Sequence, residues 1–461
     1  MSSKNKQRID ALVAEIGSTT TLVSAFDGLD GSPRFVGQGM APTTADQGDV
    51  TAGLRLAIED LKSKADMPGL EWKEMYAASS AAGGLSMSVH GLVYDMTARA
   101  AQMAALGAGA VVRQVTAGKM GEYELNALIK LNPNLILLAG GTDYGDRETA
   151  VHNARAVAGL KLGIPVIFAG NTQAAGEAGD IFTRAGQPLC VIENVYPRLD
   201  ELNIEPARRA IQDLFELHIV KAPGMSHIRE MVGGTILPTP GAVMEAVRLL
   251  HPVLGDLLAF DIGGATTDVH SAAQGSQEIA PIQTQPEPFF KRTVEGDLGV
   301  FLNARLLAEK IGFEKLDREL NLDTQVLLES WIPIPQTDAQ QRFAARLARE
   351  AGALAVVRHA GRIRQVFLPE GRRRFAEGKD LSEAGTLIAT GGALTRLRDR
   401  RPVLTHLRDL NTAGNLLYPP PGALRVLVDS QYLLAALGVL SRKWPEAALQ
   451  LMLASLKEEA V

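Results

Sequence analysis

The chain carries one short pattern twice. Glu15-Ile16-Gly17-Ser18-Thr19-Thr20-Thr21 lies near the start, and Asp261-Ile262-Gly263-Gly264-Ala265-Thr266-Thr267 lies past the middle. In each, a β-rich run ends at an acidic residue, small polar residues turn, and a second β-rich run follows (Leu22–Asp27, then Asp268-Val269-His270). Both read as hairpins. They form the one internal repeat, so the fold must house two such units. A phosphate tail needs inward backbone N–H groups, small residues that allow close approach, and hydroxyl donors. A neighbouring carboxylate holds Mg²⁺, usually through waters. Each run offers all of these. One copy alone reads as an ordinary tight turn. Two copies, with Gly391-Gly392 ending the strand Thr386–Thr390, read as two sides of a triphosphate clamp.

Length supports more than one core. At about 150 residues per domain, 461 residues suggest about three units. A hydrophobic fraction of 46% with 21% charged residues is ordinary globular material. Net charge −5 disfavours a nucleic-acid binder. A single cysteine, Cys190, excludes an intrachain disulfide and a four-thiolate cluster within one chain. MSSKNKQRID lacks a signal peptide's apolar core, and no stretch approaches a membrane span, so a cytoplasmic protein is expected.

Periodicity predicts helices over Gly48–Lys64, Val89–Leu106, about 147–162, Gly241–Leu250, 297–311, 338–358 and from Asp429 to Leu440. Strands are expected at Tyr76–Ser80, Val111–Val115, Leu135–Ala139, Pro165–Ala169, Leu189–Glu193, Leu257–Asp261 and Leu424–Val428. Alternating strands and helices between Leu135 and Glu193 imply a parallel sheet. Residues 76–235 therefore read as an inserted α/β domain. Residues 1–75 and 236–255 read as lobe I, with a C-terminal helix 429–461 packing back, and 256–428 as lobe II.

The order EIGSTTT, DIGGATTD, ATGGAL resembles the actin/Hsp70/sugar-kinase superfamily of ATPases. The resemblance implies two ribonuclease-H-like lobes with ATP in the cleft between them, and hinge helices where Gly241–Leu250 and Asp429–Leu440 lie. AEIGSTTT, LILLAGGTDYGD (Leu135–Asp146), AGNTQAA (Ala169–Ala175) and TVEGDLGVFLNA (Thr293–Ala304) are similar to the glutamate-mutase accessory family. That family implies an ATPase reactivating chaperone whose partners are subunits of an adenosylcobalamin-dependent mutase or aminomutase. Nucleic acid and membrane are not implied as partners, and a homo-oligomer stays open.

Carried over residue by residue, the resemblance makes Asp261 and Glu15 the catalytic and Mg²⁺-holding carboxylates, acting through water. Glu15 stands where the superfamily usually has aspartate. Gly17, Ser18, Thr19 and Thr20 match the first phosphate loop. Gly263, Gly264, Thr266 and Thr267 match the β/γ-phosphate cradle, and Gly391 and Gly392 the adenosine motif. Glu295 and Asp297 lie where cleft acids occur, or are helix-start carboxylates favoured by the dipole. Asp268 closes the second motif or only caps its turn.

Other features have plain readings beside functional ones. Gly140-Gly141-Thr142-Asp143 ends a parallel strand, where ligands bind or a tight turn suffices. Cys190 reads as a buried packing residue, and His270 as a packed or solvated imidazole. From Gln340 to Leu410 there are 15 Arg/Lys against 7 Asp/Glu. Arg342, Arg346 and Arg349 share a helical face, either solvated or docking an acidic partner. A sugar-kinase-like phosphotransferase and a non-catalytic nucleotide-binding scaffold remain alternatives.

Overall fold

A computed structural model describes residues 7–44, 48–80, 85–219, 224–225, 227–368 and 371–461. Residues 1–6 of the opening segment lie outside them. The first sheet begins with β1 (Gln7–Ile16), β2 (Thr20–Asp27), β3 (Arg34–Pro42) and β4 (Leu70–Ser79). β1 is buried along nearly its whole length because both of its faces are covered. Alternate residues point to opposite faces of a strand. Leu12, Ala14 and Ile16 meet Leu54, Ile58 and Leu61 of the helix Val50–Lys64. Ala11 and Val13 meet the helix Thr239–Leu254. Each large apolar side chain so buried contributes about 1.5–3 kcal/mol. Asp49 caps the first helix, accepting from the Thr51 amide at 2.9 Å, and Lys62 and Lys64 close it against the dipole.

The insertion then builds its own sheet from β5 (Ser86–Gly91), β6 (Val111–Ala117), β7 (Leu135–Leu138), β8 (Val166–Phe168) and β9 (Leu189–Val191). All pairs are parallel, in the order β6-β5-β7-β8-β9. Next, β10 (Ile236–Pro238) returns to pair with β4. Lobe I thus reads β10-β4-β1-β2-β3, with β1, β2 and β3 antiparallel and β4 and β10 parallel to β1.

Lobe II repeats this. β11 (Leu257–Ile262), β12 (Thr267–Ala272) and β13 (Phe290–Glu295) form an antiparallel meander. A two-stranded ribbon, β14 (Arg362–Leu368) with β15 (Gly371–Glu377), stands apart. β16 (Thr386–Thr390) and β17 (Arg425–Asp429) join β11 in parallel, and β18 (Leu456–Glu458) adds an edge. Strand order 3-2-1-4-5 in both lobes makes this an α/β protein of two ribonuclease-H-like lobes with an inserted α/β domain. Between the lobes, the helices Thr239–Leu254, Leu434–Leu440 and Pro445–Ser455 share one core cluster with both sheets. The first two cross in backbone contact. A Cβ on Gly438 would stand 1.9 Å from the Ala242 carbonyl oxygen.

Several expectations need correction. The boundary at residue 76 cuts through β4, whose Tyr76, Ala77 and Ala78 pair with β1. Val89–Leu106 is not one helix. Val89-His90-Gly91 belongs to β5, a π-helical turn covers Tyr94–Ala98, and the α-helix is Arg99–Gly107. The β-branched valine favours the strand and the glycine disfavours the helix, while the alanine-rich run starts later. The C-terminal segment is two helices and a strand, and that strand joins lobe II's sheet. Cys190 is half-buried on the edge strand β9.

Candidate functional site

Both turns close identically. The Gly17 N–H donates to the Thr20 carbonyl at 3.0 Å, and the Gly263 N–H donates to the Thr266 carbonyl at 2.9 Å. Different supports hold them. Thr43 Oγ1 donates to the Gly17 carbonyl at 2.8 Å. Phe301 and Leu302 amides both donate to the Gly264 carbonyl at 2.9 Å, and Asn303 Nδ2 reaches the Ala265 carbonyl at 3.2 Å. The Thr293–Ala304 segment is therefore the brace beneath the second turn.

The turns face each other across a cleft whose water-accessible volume is about 170 Å³. It brings together Glu15, Gly17, Ser18, Thr19, Thr20, Asp261, Gly263, Gly264, Thr266 and Gly392. Asp268 lines it too, directly across the strand pair from Asp261. Four expected residues stand elsewhere. Thr267 is buried and its hydroxyl donates to the Leu298 carbonyl at 2.8 Å. Glu295 is bound by Arg358, which also grips Asp297 at 2.6 and 2.9 Å. That clamp holds Asp297 well below the usual carboxylate range. Gly391 supports rather than lines the cleft. Its φ is +86°, and a Cβ there would stand 2.5 Å from Asp261 Oδ1 and from the Ile262 amide nitrogen.

The carboxylates share the floor of the cleft. Burial pushes Glu15 up to about 7, opposed by the hydrogen bond from Tyr432 and the charge of Arg396. Tyr432 donates its hydroxyl to Glu15 Oε1 at 2.7 Å, which pins the longer side chain. Burial and then the neighbouring Asp268 and Glu15 raise Asp261 well above its ordinary value. Burial lifts Asp268 to about 6 against the pull of Arg292. Asp268 Oδ1 is buried without a hydrogen-bond partner. Such a floor suits a cation that restores the lost solvation. Among the described residues no three His, Cys, Asp or Glu side chains converge to ligate a metal directly.

The local motifs did not reveal Tyr432 or Arg396. Arg396 lies four positions after Gly392 on the short helix Gly392–Arg396, and its guanidinium stands 5.7 Å from the Tyr432 ring. Nor did they reveal the apolar wall of Trp331, Pro333, Ile334, Pro335, Ala393 and Leu397. His270 is packed, buried at the core of β12. Gly140–Asp143 forms a braced turn in which Asp143 Oδ1 accepts from Thr172 and Asn194. Arg346 is buried against Glu319 and Glu350, whereas Arg342 stays exposed. No described helix is long and apolar enough to cross a membrane.

The model of the MutL protein family matches residues 11–456. Protein MutL of Clostridium tetanomorphum is 36% identical over 462 residues, covering 96% of this chain and 98% of that protein. Among solved structures, nucleotide-free acetone carboxylase aligns with TM-score 0.40 and 14% identity over 94% of this chain and 70% of the other. A glycerol dehydratase reactivase aligns with TM-score 0.33 and 11% identity over 94% and 99%. With a family match from the first strand to the last and a relative matched nearly end to end, the chain belongs to the MutL protein family, of the glutamate-mutase type.

Proposed function

We propose that this protein binds and hydrolyses ATP to reactivate an adenosylcobalamin-dependent mutase or aminomutase. The observation that carries this is the pair of identically closed turns facing each other over buried carboxylates. In this reading the amides and hydroxyls of Ser18, Thr19 and Thr20 hold phosphate oxygens from one lobe. Gly263, Gly264 and Thr266 hold them from the other. The adenine ring lies against Trp331, Ile334 and Leu397, beside Gly392 and Ala393. Asp261, Glu15 and Asp268 would hold Mg²⁺ through water, and the ion would supply charge neutralisation for the triphosphate. That hard oxygen donor set and the orphaned Asp268 Oδ1 fit the ion. Asp261 also orients the attacking water. Gly391 holds Asp261 in place from behind, while Thr267 and Glu295 shape the second turn from outside the cleft.

Family membership supports the accessory role, with mutase subunits as partners. The test is capture of partners from the native cell by the full chain, with and without Mg·ATP. Nucleotide-dependent recovery of a B12 mutase subunit supports the proposal. A chain that hydrolyses ATP but captures no such subunit overturns it.

A further inference from the structure

The insertion shares an apolar core with lobe I and also fastens to lobe II. Its helix Arg99–Gly107 packs along β13, the edge strand of the second lobe's sheet. At the helix start, Arg99 pairs with the buried Glu287. At the helix end, Arg292 of β13 donates from Nη1 to the Leu106 carbonyl at 2.8 Å. The same guanidinium turns its other arm, Nη2, to Asp268 Oδ2 at 3.5 Å. Arg292 is 3% exposed, and its Nε has no hydrogen-bond partner. One buried cation is thus shared between a carboxylate lining the cleft and the end of a helix in the inserted domain.

We propose that Arg292 couples cleft occupancy to the inserted domain by dividing its charge between Asp268 and the Leu106 carbonyl. This rests on the ATP-binding reading above. Two cations would compete for one acceptor, Asp268. The Asp268–Arg292 contact is long for a charged hydrogen bond, so it is incomplete as it stands. A magnesium–nucleotide complex in the cleft gives Asp268 a second cationic neighbour and weakens its hold on Arg292. The guanidinium then has one strong acceptor left, the carbonyl at the negative end of the helix. That carbonyl also accepts from the Gly109 amide, while Ala108 and Ala110 amides close the same helix end onto Ala104 and Ala105. A tighter Arg292 bond changes the opening of these closures, and linkage requires the inserted domain to affect nucleotide affinity by the same factor. Arg292 is a positioning residue: it touches neither phosphate nor attacking water.

The experiment is amide hydrogen exchange on the full chain, nucleotide-free and with Mg²⁺ plus a non-hydrolysable ATP analogue, beside calorimetry of that complex. In the wild-type protein the amides of Ala108, Gly109 and Ala110 should change exchange rate by about fivefold or more on binding. Arg292→Met should bind the analogue yet lose that response. Arg292→Lys, which keeps the charge but replaces the two-armed guanidinium by a single nitrogen, should not restore it. If Arg292→Met fails to fold, the lysine variant carries the same comparison. Wild-type binding with no change at residues 108–110, or a full response in either variant, overturns the coupling. Absence of analogue binding in the wild-type protein instead brings down the ATP-binding reading, and the coupling with it.

Discussion

At the scale of single residues, the two adjacent glycines of the third motif part company. A Cβ at Gly391 meets Asp261 and the Ile262 backbone, while one at Gly392 meets nothing within 4 Å. Gly391→Val should therefore destabilise the whole lobe, by about 1–3 kcal/mol or more, because strain at φ +86° adds to the clash. Gly392→Val should leave the melting temperature nearly unchanged and weaken ATP binding. Urea unfolding beside calorimetry separates the two, and equal stability of both variants would refute this division. Asp261→Ala should keep the fold and lower ATP hydrolysis roughly 10²-fold or more. A wild-type rate would remove Asp261 from the mechanism. Lys379 offers a test by pH. Its buried ammonium donates to the carbonyls of Ala273, Pro288 and Phe289 at 2.6, 2.8 and 3.2 Å, and burial lowers it to about 8. The unfolded chain holds that proton to a higher pH. Stability should thus rise with pH from about 8 toward the unfolded value, and the rise should vanish in Lys379→Met. Glu15 and Asp261 were legible because a hairpin motif announces its own acid. Tyr432 was not, because it meets Glu15 from 417 positions away and leaves no local pattern.

At the scale of elements, legibility followed how much of an element's burial is written in its own period. The strand Leu135–Leu138 and the helix Asp338–His359 stand close to where apolar runs and helical spacing put them. β3 and β13 were missed: their burial is mixed and their residues earn a place only by pairing with a neighbour. The insertion's attachment was equally illegible, since it joins residues far apart in the sequence, through a core shared with lobe I and through ion pairs. The helix Glu205–Ile219 is tied to the hinge helix Thr239–Leu254 through Arg208, which bonds Glu205 at 2.9 Å and Glu245 at 2.6 Å. Arg248 joins Glu205 at 2.5 Å. Arg208→Ala should cost about 2 kcal/mol, below the figure for a wholly buried pair because Glu205 is partly exposed and keeps Arg248. A urea midpoint shared with the wild type would show that the insertion is held by other means. Replacing residues 80–235 with a flexible linker should spare ATP binding and abolish nucleotide-dependent partner capture. Persistence of that capture would assign the partner to the lobes.

At the scale of the molecule, the repeat of one strand order in two lobes was foreshadowed by the repeated hairpin, and the cleft follows from placing the two turns face to face. What could not be foreseen is how closely the halves approach behind it. The helices crossing at Gly438 and Ala242 touch backbone to backbone. Gly438→Leu should wedge them apart and lower ATP affinity more than any substitution of similar size on the outer face of either lobe, as calorimetry on both kinds of variant would reveal. Helices that meet through interlocked side chains must lift ridge out of groove to turn. Here the point of closest approach carries no side chain on one partner, so no ridge stands in the way at that point. Any turn of one lobe about this crossing would move the cleft rim further than the crossing itself.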